Sequence, residues 1–230
     1  MKRKEDGEKD TMTFCTDELT DEDMVGKRLC NVLECGFDTS QSVLNSLLLI
    51  PLQKEQDVQE KLYNEVKSKM DANGGNLTYD GVLDMNYLDM FVNETLRMFP
   101  PAAKTVRRCV KDYQIPGTQT IIEKGTIVDL PVYGMHLDSK YYENPEKFNP
   151  DNFLPEKKAQ RHPYSFGAFG MGPRGCIGQR FALIKVKSAI AALVYNFKFQ
   201  PSGRTQIPVK FGNAVTLKPL NGMILNITPR

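Results

Sequence analysis

Apolar positions recur along this chain with a helical period in four stretches and with strand-like alternation in two. Thr20 followed by Asp23 resembles a capping box, and the helical pattern beyond it runs to about Ile50, where Pro51 stops or kinks it. Val58, Leu62 and Val66 repeat among charged neighbours and predict a second helix over 55–70, followed by a DANGGN loop. A third helix is predicted over 86–99. Leu88, Phe91, Val92, Thr95 and Leu96 form its apolar face, and Pro100-Pro101 ends it. Between 105 and 131, β-branched runs alternate with turn signals, which predicts short strands and a hairpin. Residues 138–173, rich in proline, glycine and asparagine, read as an irregular, wrapped segment. A fourth helix is expected over 177–196, then short strands to residue 230. No internal repeat and no linker divides the chain, and the charged residues 1–18 read as a mobile lead-in.

Composition alters this picture little. Hydrophobic and charged fractions of 40% and 25% are those of an ordinary globular chain, and a net charge of +2 gives no reason to expect nucleic acid as a partner. Five cysteines, at 15, 30, 35, 109 and 176, are an odd number without paired spacing, which argues against a disulfide framework and leaves a thiol for chemistry. The N-terminal residues have no apolar run, so they read as neither signal peptide nor anchor. The apolar stretch from Val43 to Leu52 is too short and too interrupted to span a bilayer.

The densest chemistry lies in FGAFGMGPRGCIGQRFA, whose core is Phe169-x-x-Gly172-x-Arg174-x-Cys176-x-Gly178, directly before the fourth helix. A cysteine there meets the positive end of a helix dipole, which favours thiolate over thiol. Gly172, Gly175 and Gly178 let the backbone turn tightly beside a flat ligand. Nearby amides are positioned to donate to the sulfur, Phe169 to shield it from water, and Arg174 to pair with a ligand carboxylate. A Gly-rich turn around a structural cysteine is the plainer alternative. Five specified positions within so short a window instead resemble the haem-binding loop of the cytochrome P-450 family.

Other segments extend that resemblance. Glu94 and Arg97 sit three residues apart on one helical face, which alone reads as a surface ion pair. The surrounding NYLDMFVNETLRMFPPA resembles the family's K helix, whose Glu-x-x-Arg pair is buried and joined by an Arg from a downstream Pro-Glu-Arg-Phe segment. Here that segment is Pro150-Asp151-Asn152-Phe153, so Asn152 stands where the family has Arg. Gly36-Phe37-Asp38-Thr39 resembles the family's I-helix motif, implying that Asp38 and Thr39 relay protons during oxygen activation. Cys35 at the small-residue position and Glu34 before it depart from that pattern.

The resemblance covers residues 19–230 and implies the C-terminal portion, from the I helix to the end, of a single mainly α domain with small β-sheets. It looks closest to the animal branch of family 3 drug-metabolising enzymes and thromboxane synthase. It implies haem b held by Cys176. Arg107 matches a position that pairs with a haem propionate, with a plain surface arginine as the alternative. Ala102, Ala103, Thr105, Ala214 and Val215 match substrate-lining segments. His136 and His162 are too solitary for a metal pair, and His162 reads as a surface residue. Lys157, Lys158, Arg161, Lys185 and Lys187 read either as a basic face for an acidic electron-transfer partner or as an ordinary solvated charged surface.

The implied activity is insertion of one oxygen atom from dioxygen into a hydrophobic substrate. Electrons would come from an NADPH-dependent reductase, with cytochrome b5 as a further donor. The parent protein is then expected in the endoplasmic reticulum membrane, held by an N-terminal anchor that this chain lacks. Without the family's N-terminal portion, part of the haem pocket would be uncovered and apolar patches exposed. Two alternatives stand beside this reading: a catalytically incompetent fragment, and a haem-thiolate isomerase of lipid peroxides, against which the Asp38-Thr39 pair argues.

Overall fold

A computed structural model describes residues 36, 37, 39–46, 56–205 and 224–230, those from Gly36 onward belonging to one unit. Of the long first helix predicted from the sequence, residues 36 and 37 are helical and residues 39–46 form helix α1; its remainder and the lead-in at 1–18 lie outside the described residues.

Helix α2 (Gln56–Ala72) buries Val58, Leu62, Val66 and Met70, one stripe recurring every four residues, as the pattern requires. Thr78 caps the short α3 (Tyr79–Leu83) by accepting from the Gly81 N–H at 3.1 Å. Helix α4 (Asn86–Met98) starts at Met85, which offers no capping side chain. Glu65, reaching across from α2, takes that role. Its two carboxylate oxygens accept from the Tyr87 and Leu88 amides, each at 2.8 Å, placing negative charge on the positive end of the helix.

Leu88, Phe91, Val92, Thr95 and Leu96 are all buried, as expected of the α4 apolar face. The last long helix, α7 (Gln179–Asn196), begins two residues later than expected, with Gly178 at its cap, and buries Val186, Ile190, Ala191 and Val194. These stripes from α2, α4 and α7 meet in one core, closed by Val43, Phe148 and Phe199.

Strand pairing is local. β1 (Thr105–Arg108) pairs antiparallel with β4 (Ile127–Leu130), Thr105 opposite Leu130, and the β2–β3 hairpin (Tyr113–Gln114, Ile121–Ile122) lies between them in sequence. In the tail, β5 (Phe197–Pro201) pairs antiparallel with β6 (Leu225–Pro229), and residues 206–223 lie outside the described set. The fold is thus mainly helical with small sheets.

Three short helices were not expected: α3, α5 (Val132–His136) and, inside the irregular segment, α6 (Pro155–Gln160). Five or six residues are too few to display a hydrophobic period, and such short helices owe their stability to packing. None of the described helices is long and apolar enough to cross a membrane.

Buried Gln59 ties α2 to the tail sheet. Its amide donates to the Phe199 carbonyl at 3.0 Å and accepts from the Phe199 N–H at 2.9 Å. Gln59→Leu strands both Phe199 backbone groups, so urea denaturation should show a loss of about 1–3 kcal/mol. An unchanged midpoint would mean that the sheet docks without this clamp.

Candidate functional site

The Glu94–Arg97 pair is fully buried in α4, at 0% exposure for both side chains. Three residues apart on a helix, the two groups meet as a fork: Arg97 Nε donates to Glu94 Oε2 at 2.7 Å and Nη2 to Oε1 at 2.8 Å. The remaining guanidinium hydrogens go to main-chain carbonyls. Nη1 reaches His136 at 2.8 Å and Pro145 at 2.7 Å, and Nη2 reaches Lys147 at 3.3 Å. All five donors of the guanidinium are therefore used.

Glu94 Oε1 also accepts from the Asn149 N–H at 2.8 Å and from Asn152 Nδ2 at 3.2 Å. Burial pushes the Glu94 carboxyl above its ordinary pKa, opposed by Arg97, Asn149 and Asn152. Asn152 thus supplies a hydrogen bond to Glu94 but no charge, as its side chain dictates.

His136 is buried and belongs to this assembly. Its Nδ1 lies 3.0 Å from the Arg97 carbonyl, and its Nε2 accepts from the Gly167 N–H at 3.0 Å. Because the first partner only accepts and the second only donates, the ring is the neutral Nδ1–H tautomer. Burial, with Arg97 and Arg161 nearby, lowers its pKa to about 4. Sequence reasoning considered His136 only as a metal ligand; an isolated histidine gives no local signal of a partner 31 residues away.

The cysteine loop begins where His136 ends. Phe166 stacks on the His136 ring at 5.2 Å and meets Phe153 edge-on at 4.9 Å. The Gly170 N–H donates to the Gly167 carbonyl at 2.9 Å, and the Cys176 N–H to the Phe169 carbonyl at 2.7 Å, closing the loop on itself. Gly170 and Gly172 carry φ of 68° and 69°, a conformation that disfavours any side chain. Gly175 is required for a different reason: a Cβ there would sit 3.2 Å from the Gly172 carbonyl oxygen.

The Cys176 thiol is free and exposed, three residues before α7. The Gly175 and Cys176 amides are spent on carbonyls of the loop itself, those of Gly172 and Phe169. Phe169 is half-buried against the core.

Arg174 is exposed and makes no ion pair among the described residues. Arg107, in β1, donates to the Val106 carbonyl. Ala102, Ala103 and Thr105 are half-buried on the segment leaving α4, where the Ala103 carbonyl accepts from the Tyr133 N–H at 2.8 Å. Thr39 is half-buried in α1; its expected partner Asp38 lies outside the described residues, as do Ala214 and Val215.

The expected basic face is smaller than its sequence suggests. Lys187 is buried and paired with Asp89. Arg161 is half-buried, donating to the Asn152 carbonyl and stacking over Tyr142 at 4.1 Å. Both had seemed available because local sequence does not reveal a tertiary acceptor. Lys157, Lys158 and Lys185 are not withdrawn in this way. His162 is exposed, as expected of a loop residue.

Comparison with known proteins decides the family. The family described as Cytochrome P450 matches residues 2–226. The chain is 42% identical over 213 residues to the probable cytochrome P450 6a13 of Drosophila melanogaster, covering 93% of this chain and 41% of that protein. It is 44% identical over 195 residues to human cytochrome P450 3A5, covering 85% of this chain and 38% of that protein.

This chain belongs to the cytochrome P450 family.

It spans about two fifths of the length of those curated relatives. Cytochromes P450 are, in general, haem-thiolate monooxygenases, so family membership implies an iron held through a cysteine thiolate.

Removing one member of the buried pair leaves its partner charged and unsatisfied. Arg97→Ala should cost about 3–5 kcal/mol by urea denaturation, whereas the hydrophobic double variant Glu94→Leu/Arg97→Met should recover part of that loss. An Arg97→Ala chain as stable as the parent would show the network to be dispensable.

Proposed function

We propose that this chain carries the haem-ligand side of a monooxygenase that inserts one oxygen atom from dioxygen into a hydrophobic organic substrate. In this reading residues 19–230 form part of one domain, and Cys176 is the thiolate ligand of haem b. The observation that carries it is the exposed Cys176 thiol, on a glycine-built loop immediately before α7 and anchored through His136 to a buried ion pair.

The residues around the thiol fit a flat, apolar group with anionic edges. Ile177 is 98% exposed and Phe181 69%, large apolar side chains whose exposure is costly unless something covers them. Arg174 stands exposed on the same loop with its donors available to a carboxylate.

Bound there, a haem would supply reductive activation of dioxygen, one atom going to substrate and the other to water, with two electrons and two protons consumed. The protein's own part is assigned by residue. Cys176 supplies the thiolate and Phe169 the apolar wall beside it. Gly178 adjoins the sulfur, where a Cβ would make ordinary contact at 4.0 Å. Arg174 and Arg107 hold propionates. Asp38 and Thr39 pass protons toward the oxygen side. Ala102, Ala103, Thr105, Ala214 and Val215, all small or β-branched, bound the substrate space. Glu94, Arg97 and Asn152 keep the loop's support rigid.

An NADPH-dependent cytochrome P-450 reductase, assisted by cytochrome b5, would supply the electrons, approaching the remaining lysines at 157, 158 and 185. The likeness to cytochromes P450 3A supports residence of the parent protein in the endoplasmic reticulum membrane.

The test is a difference spectrum of the reduced chain with carbon monoxide, expressed with haem supplied, beside Cys176→Ala. A red-shifted Soret band of the thiolate type, absent in the variant, is expected. Haem binding that is indifferent to Cys176 would remove this residue from the ligand position.

A further inference from the structure

We propose that His136 is a positioning residue for the cysteine loop, transmitting the rigidity of the buried Glu94–Arg97 pair to the backbone that presents Cys176. The contacts form one continuous path. Arg97 and His136 are locked reciprocally: the Arg97 guanidinium donates to the His136 carbonyl at 2.8 Å, and the His136 ring donates back to the Arg97 carbonyl at 3.0 Å. The opposite edge of the same ring accepts from the Gly167 amide, and its face is covered by Phe166. From Gly167 the path continues through the Gly170 N–H to the turn, whose far end is pinned by the bond from Cys176 to Phe169. No other described side chain accepts from a backbone amide between Phe166 and Cys176.

This role needs a ring that donates at one nitrogen and accepts at the other. Phenylalanine retains the stack on Phe166 and loses both bonds. Glutamine offers an acceptor near the Nε2 position and keeps the contact to Gly167; asparagine offers a donor near Nδ1 and keeps only the contact to Arg97.

Protonation has the same effect as the loss of Nε2, because the imidazolium turns a second donor toward the Gly167 N–H. The charged and titratable groups around the ring are the guanidinium of Arg97 from α4, that of Arg161 from beyond α6, and the Tyr142 phenol; the two cations oppose the charged form. With the folded pKa near 4 and the ordinary value 6.5, the unfolded chain binds the extra proton across that interval. The stabilisation from His136 is thus complete above about pH 6.5 and is lost as pH falls toward 4.

The experiment is hydrogen exchange, read by mass spectrometry on the full chain, comparing the parent with His136→Phe, His136→Gln and His136→Asn at pH 7. Amides between 166 and 176 should exchange ~10-fold faster in the Phe and Asn variants, with α4 unchanged and the Gln variant close to the parent. Below pH 6.5 the parent's loop, corrected for intrinsic rates, should loosen toward the Phe variant, which should show no such dependence. Loop exchange within about twofold of the parent in every variant would overturn the proposal. So would an equal rise in loop and α4, which would make His136 an ordinary core residue. The functional meaning rests on Cys176 as the ligand, but exchange does not require haem, so the two readings fail separately.

Discussion

The arginine at position 97 imposes the strongest constraint on this structure. A guanidinium removed entirely from water must satisfy five donors, and no single neighbour supplies more than two acceptors in the right plane. Glu94 supplies two, and carbonyls of His136, Pro145 and Lys147 supply the others. A segment otherwise rich in turns is thereby wrapped around one end of α4, with its carbonyls fixed by charge-assisted bonds. The Tyr142 ring packs against both Arg97 and Arg161, its centroid 5.0 and 4.1 Å from their guanidinium carbons.

The cysteine loop inherits its order from this assembly. Its own turn needs Gly170 and Gly172 in a conformation that few other residues adopt, and its internal bonds are short-range. Such a loop has little apolar area of its own with which to hold a shape. Phe166 and Phe169 anchor it to the core, while His136 ties its first amide to α4. With Cys176 as the proposed thiolate ligand, a rigid support for the exposed sulfur is what such a site needs.

The packing is asymmetric. The stripes of α2, α4 and α7 close one well-filled core, with Leu62, Val66, Leu88, Phe91 and Ile190 at 0% exposure. By contrast, Phe37, Ile177 and Phe181 stand exposed.

Periodicity and local chemistry determined much by themselves. The helices containing Leu62, Phe91 and Ile190, the buried faces of the first two, and the small strands were legible because a helix or hairpin needs only neighbouring residues. The family was legible because a tight turn around Cys176 demands particular glycines at particular places. What lay beyond the sequence has long separations in common. Glu65 caps a helix 22 residues away, Gln59 clamps a strand 140 residues away, and His136 joins Arg97 to Gly167. The burial of Lys187 and the stacking of Arg161 belong to the same class. An isolated polar residue carries no mark of whether an acceptor will be folded against it. Only the tertiary structure, by bringing desolvated groups together, decides which polar side chains become part of the site.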